Sequence, residues 1–246
     1  MAQKTLGAAR SGMSKASLKR VIRAGNVAAF ALGIWTLLFA THVYVLSVAL
    51  CAALPLLAIA LDVKAKGALD YETKRGRNPL SMAVLLLAPA LGLAGRAIID
   101  LNVVDQTLLI IEAVIAACGI VALFYRFDPR IKADWRAALT IAIWAMIYSY
   151  GALAFADTVF DPSAGSDSVT VIRDRRIHVS GNVKGSSVWH EVSLEAGATP
   201  GGEPWIHVRP DRYDSFGRGD AVCVHIGAGL FAVSWFEIRR CGSAPR

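Results

Sequence analysis

Five long apolar stretches constrain this chain more than any other feature. A membrane-crossing helix needs about 20 mostly apolar residues, within a range of about 17–25. Such stretches run over about 24–40, 43–61, 80–97, 107–125 and 137–156, and Glu112 is the one acid inside them. Helices of a soluble bundle carry a charged outer face, which these segments lack. They predict an α-helical membrane domain of five transmembrane helices over 24–156. Only Thr41 and His42 separate the first two. As one helix the pair would rise roughly 60 Å against a hydrocarbon core of about 30 Å, so a tight hairpin is expected. The first stretch follows a long basic lead, with no small-residue cleavage site before the second, and so reads as a retained span.

Lysine and arginine concentrate in cytoplasmic loops near helix ends. The tail 1–23, the loop between spans two and three, and the loop between spans four and five together hold 15 basic residues. The alternate loops hold only Arg96. This asymmetry predicts a cytoplasmic N-terminus, and an odd number of spans places the chain after Ala156 outside the cytoplasm.

Ionisable groups within a span are costly and are functional candidates. Glu112 sits about five residues, roughly 7–8 Å, inside the outer end of span four. Arg96 ends span three on that same side. The plain expectation is an ion pair, or a carboxylate reaching interfacial water. The sharper alternative is a small transporter or ion-coupled protein using Glu112, although such proteins usually show several buried polar groups or internal repeats. Pro55 and Pro89 predict kinks in spans two and three. Ala88 and Gly92 have the small-x-x-x-small spacing of close helix approach. Tyr148 and Tyr150, near the outer end of span five, fit an aromatic belt.

From Asp157 the texture changes to glycine, proline, serine and alternating apolar residues. Residues 157–168 read as a linker rich in turn formers. Strand patterns follow: Val169–Ile172, continuing or re-forming at Ile177–Val179, then Val188–Leu194, Trp205–Val208, Ala221–Ile226 and Leu230–Arg239. They predict a small all-β domain over 169–241, a sandwich or a barrel of the OB or SH3 kind, before a tail at 242–246. Gly227-Ala228-Gly229 reads as a short hairpin loop, and Arg212–Phe216 as a turn of helix.

Tyr213-Asp214, then Gly219-Asp220-Ala221-Val222-Cys223-Val224, the Gly227–Gly229 turn, and Trp235-Phe236-Glu237-Ile238 before Cys241 form a recognisable series. It resembles the tail of uncharacterised bacterial multi-span membrane proteins in which several helices precede a small extracytoplasmic β-domain. The resemblance covers about the last 80 residues. It implies a bacterial inner-membrane protein with a periplasmic β-domain, and it implies no chemistry. Gly219 and Asp220 have a structural reading as a turn, with a side chain able to bond nearby backbone.

His178, His190, His207 and His225 all fall in strands of this domain. They are weak metal-ligand candidates, because strands could gather two or three on one face. The plainer expectation is that each faces solvent. Cys223 and Cys241 would be able to bond in an oxidising compartment. A hairpin folded about Ala228, however, sets Cys223 beside Val233. Arg173, Arg175 and Arg176 read as a small solvated basic patch. No nucleophile elbow, phosphate loop, dinucleotide fingerprint or zinc-protease motif occurs.

No catalytic set and no cofactor is expected. The best reading is a membrane-anchored interaction module whose partners are the bilayer and either an envelope protein or a second copy. A metal-dependent envelope enzyme is a weaker alternative. The net charge of +7 does not mark a nucleic-acid partner, because residues 1–156 carry +8 and residues 157–246 carry −1. The surplus lies in tails and loops that meet anionic headgroups.

Overall fold

The structure is a computed structural model. It describes residues 15–39, 44–64, 82–128, 131–132, 134–163, 165–182, 185–195, 205–208 and 210–241. The expected tail residues 1–14, the Thr41–His42 turn, the basic loop 65–81 and the tail 242–246 lie outside the described residues. The chain divides into two compact units, Met1–Arg96 with Ile111–Ala152, and Ala97–Ile110 with Leu153–Arg246.

The five long helices are α1 (Lys15–Phe39), α2 (Tyr44–Lys64), α3 (Ala83–Asp100), α4 (Gln106–Phe127) and α5 (Trp135–Val159). Four of them are long and apolar enough to cross a membrane. The apolar run of α2, Val45–Ala60, is shorter. Helix α1 starts nine residues before the predicted span, because Lys15–Arg23 is rich in good helix formers. Asn26 of α1 accepts the Leu85 N–H at 3.0 Å and so caps the first turn of α3 from another helix.

Small residues let the first-unit helices meet backbone to backbone. A Cβ on Gly33 would strike the Ala88 carbonyl, and one on Gly92 would lie 2.8 Å from the Gly33 carbonyl oxygen. The Ala88–Gly92 spacing therefore receives α1. A Cβ on Gly151 of α5 would lie 2.7 Å from the Ala94 nitrogen. Tyr148 is buried between helices, and its hydroxyl donates to the Ala52 carbonyl of α2 at 2.8 Å. The aromatic-belt expectation for Tyr148 is thereby corrected. A side chain one turn from Trp144 shares the inward face of α5.

The second unit carries a six-stranded antiparallel sheet in the order β1-β6-β5-β2-β3-β4. Its strands are β1 (Asn102–Val103), β2 (Ser166–Asn182), β3 (Gly185–Leu194), β4 (Ile206–His207), β5 (Ala221–Gly227) and β6 (Trp235–Arg240). Ile172, Val192, Leu194, Ile206, Tyr213, Phe216, Val222, Val224, Phe236 and Ile238 share one core, so the sheet is barrel-like. A short helix, Pro210–Tyr213, sets Tyr213 into that core.

Three features differ from the sequence expectation. First, β2 takes the continuing form, one strand of 17 residues, and it starts at Ser166, inside the expected linker. Its Ser166–Val171 half pairs with β5, and Ile172–Asn182 pairs with β3 across an irregularity between Ile172 and Asp174. One extra residue at such a bulge bends a strand. The Gly219–Asp220 turn closes this bend: Gly219 N–H donates to the Ile172 carbonyl at 2.8 Å, and Ile172 N–H to the Asp220 carbonyl at 3.0 Å. Gly219 takes φ +86°, and Asp220 accepts the Gly217 N–H at 2.7 Å. Second, β1 comes from the loop between α3 and α4 and pairs Asn102 with Phe236 and Val103 with Trp235. Two residues carry no readable period, so this strand had no signal in the sequence.

Third, the β5–β6 hairpin is wider than a glycine turn. Gly227 pairs with Trp235, and the register sets Cys223 opposite Arg239 rather than beside Val233. Residues 230–234, expected in the last strand, belong to the loop. Cys241 lies two residues past Arg239, on the same sheet face as Cys223. The two cysteines are bonded, with Cα atoms 5.0 Å apart.

Candidate functional site

The hairpin loop is held by the segment that leaves α5. Four consecutive N–H groups each find an oxygen there. Ala228 donates to Ser163 Oγ at 3.2 Å and Gly229 to Asp161 Oδ2 at 3.0 Å. Leu230 donates to the Asp157 carbonyl at 3.1 Å and Phe231 to Asp157 Oδ1 at 2.6 Å. Asp161 Oδ2 also accepts the Trp235 indole N–H at 2.8 Å. Gly227 and Gly229 leave room for these carboxylates: a Cβ on Gly227 would strike Asp161 and Trp235, and one on Gly229 would strike Asp157. Burial alone would raise the pKa of Asp161. The Ser163, Gly229 and Trp235 donors outweigh it and hold the carboxyl at about 2. The predicted linker is thus a fastened element at Asp157–Ser163.

The histidines are not gathered. His225 is buried, against the expectation of a solvent-facing ring, because Trp235 and Gly165 close the outer face of β5 around it. Its Nδ1 lies 2.8 Å from Asp167 Oδ1. Arg239 Nη2 donates to both oxygens of Asp167 at 2.7 Å. The His225 contact, and then Arg239, lower the Asp167 pKa. His190 meets the Tyr213 ring edge-on, centroids 4.9 Å apart. His178 is exposed opposite Trp189. His207 lies 3.5 Å from Glu191. Among the described residues no group of three histidine, cysteine or acidic side chains is placed to hold a metal ion.

The expected basic patch is also divided, because successive strand residues face opposite ways. Arg175 lies 4.2 Å from the Tyr213 ring centroid and donates to the Tyr213 carbonyl at 2.9 Å. Arg176, on the other face, pairs with the buried carboxylate of Glu191 at 2.5 Å and lies 4.0 Å from the Trp205 ring centroid.

The bulge explains what the rest of β2 presents. Before it, the buried Thr170 and Ile172 face the core. After it the parity shifts: Arg175 pairs with the core residue Val192, Ile177 with His190 and Val179 with Val188. Directly paired residues share a face. The core face therefore runs on past the core as Ile177, Val179 and Val188, which are 54%, 60% and 53% exposed. The opposite face carries Arg176, Trp189, Glu191 and His207, the last two in contact with each other and Trp189 5.0 Å from the His207 ring. Sequence reading missed this surface because a one-residue bulge leaves no compositional mark.

In the first unit, Arg96 is buried on α3 and Glu112 half-buried on α4. Comparison with protein-family models, curated proteins and solved structures finds no match.

Proposed function

We propose that this chain is a bacterial inner-membrane interaction module, with a cytoplasmic N-terminus and a periplasmic β-domain. The observation that carries the reading is the exposed apolar face Ile177, Val179 and Val188 on the β2–β3 ribbon. Apolar side chains grouped on one face of a folded sheet are a common mark of a protein contact. Two further observations support the placement. The β1–β6 ladder joins the α3–α4 loop to the last strand, and two paired segments share one side of a bilayer. Both lie opposite the basic loops by the lysine and arginine count. The Cys223–Cys241 bond suits an oxidising compartment.

The test is photo-crosslinking in cells. A photoreactive residue at Val179 or Val188 should give adducts of one defined mass, either a partner or a second copy. The same residue at Val169, 72% exposed and away from that face, should not. No adduct at Val179 and Val188, or the same spread of adducts at all three, would overturn the reading.

A further inference from the structure

A groove of about 760 Å³ runs between α4 and α5. Helix α4 lines it with one stripe, from Val114 through Ala117, Cys118 and Ala122 to Tyr125. These residues recur at the three- and four-residue spacing of one helix face. Ala142 of α5 faces them, so small side chains on both helices make the surface concave. At the Tyr125 end stand two exposed cations, Arg126 and Lys132, with Lys132 Nζ 5.3 Å from the Tyr125 ring centroid.

Length and charge select the occupant. The stripe from Val114 to Tyr125 rises roughly 16 Å, about half of a hydrocarbon core of about 30 Å. The groove is therefore one leaflet deep, apolar along its length and cationic only at the mouth. We propose that it binds an anionic phospholipid, one acyl chain along the α4–α5 slot and the phosphate on Arg126 and Lys132. Basic pockets between helices at the headgroup level take such lipids. The inference rests on the membrane reading of the helices and is independent of the β-domain's partner. Failure of the crosslinking above leaves it standing, and the reverse holds too.

Full-length protein released from vesicles of phosphatidylglycerol and phosphatidylcholine and weighed intact by native mass spectrometry tests it. The wild type should retain phosphatidylglycerol in preference, by a factor of about five for each cation. Arg126→Ala with Lys132→Ala should erase the preference, and Arg126→Lys with Lys132→Arg should keep it. Ala122→Trp should fill the slot and reduce retention of both lipids. Should those variants not fold, the wild type supplies its own probe. Cys118 is exposed and lines the groove, whereas Cys51 is buried. Phosphatidylglycerol added to phosphatidylcholine micelles should slow maleimide modification of Cys118. Equal retention of both lipids by the wild type would overturn the proposal. So would a preference that survives removal of both cations, or a Cys118 rate indifferent to phosphatidylglycerol.

Discussion

Trp144 and Tyr148 stack one turn apart on α5, ring centroids 5.4 Å apart, and each donates to a carbonyl three residues before a proline. Trp144 Nε1 reaches the Leu86 carbonyl at 3.0 Å, ahead of Pro89. Tyr148 reaches the Ala52 carbonyl, ahead of Pro55. A proline has no N–H for the carbonyl four residues back, here Leu85 and Cys51, and loosens the turn that also holds Leu86 and Ala52. Across a bilayer such a turn would have no water to bond. One pair of aromatics thus serves the proline-disturbed turns of two neighbouring helices.

Tyr148→Phe should therefore cost about 0.6–2 kcal/mol of stability in detergent. In a Pro55→Ala background the restored N–H at position 55 bonds the Cys51 carbonyl and regularises the turn that holds Ala52, so the same substitution should cost less. Thermal melts of the four proteins in this cycle check it, and strict additivity would show that the bond and the proline are unrelated.

Gly33→Ala and Gly151→Ala would each drive a methyl into the backbone of α3. Each should destabilise by about 1–3 kcal/mol. Gly119→Ala, with nothing within 4 Å of its Cβ, should be neutral or slightly stabilising through helix propensity. Detergent melts that rank the three differently would refute the packing.

The Cys223–Cys241 bond closes a separation of 18 residues. A closed loop of about this size is worth roughly 3 kcal/mol. Cys223→Ser with Cys241→Ser should lower the melting temperature by several degrees. In the unfolded, unreduced wild type two thiols, Cys51 and Cys118, should react with maleimide. Reductant should expose two more, seen as a mass shift.

Asp161 has a folded pKa of about 2, below the ordinary 3.8, and Asp167 is also lowered. A depressed folded pKa gives stability that is present above the unfolded value and lost as pH falls through the folded one. Melts followed by tryptophan fluorescence should thus hold above pH 3.8 and fall toward pH 2. Asp161→Asn should flatten that slope and lower stability at neutral pH, where it removes a charged acceptor. An unchanged slope would show that the carboxylate is not fastened to the loop.

Ala232 adopts φ 65° in the β5–β6 loop, a conformation that costs a residue with a Cβ roughly 1–2 kcal/mol. Ala232→Gly relieves this while adding chain entropy to the unfolded state, and the net change should be stabilising by less than about 1 kcal/mol. A chemical denaturation midpoint that falls would place the strain elsewhere.

The apolar runs and the basic loops were readable because lipid imposes length and composition on each segment separately. The apolar helical half, the change of texture near Asp157 and the β-character of the tail all follow from local pattern. What only the tertiary structure decided depends on partners distant in sequence. Asn102 and Val103 become a strand only because β6 offers them an edge. Cys223 reaches Cys241 because Asp157, Asp161 and Ser163 satisfy four loop N–H groups and so hold open a hairpin wider than its glycines suggest. His225 is buried by Trp235 of β6 and by Gly165, the residue just before β2. The turn of Ile177, Val179 and Val188 onto a single exposed face rests on one extra residue in β2. Hydropathy records what each residue prefers, whereas register and bulges record which residues meet, and that is settled only when the whole sheet closes on its core.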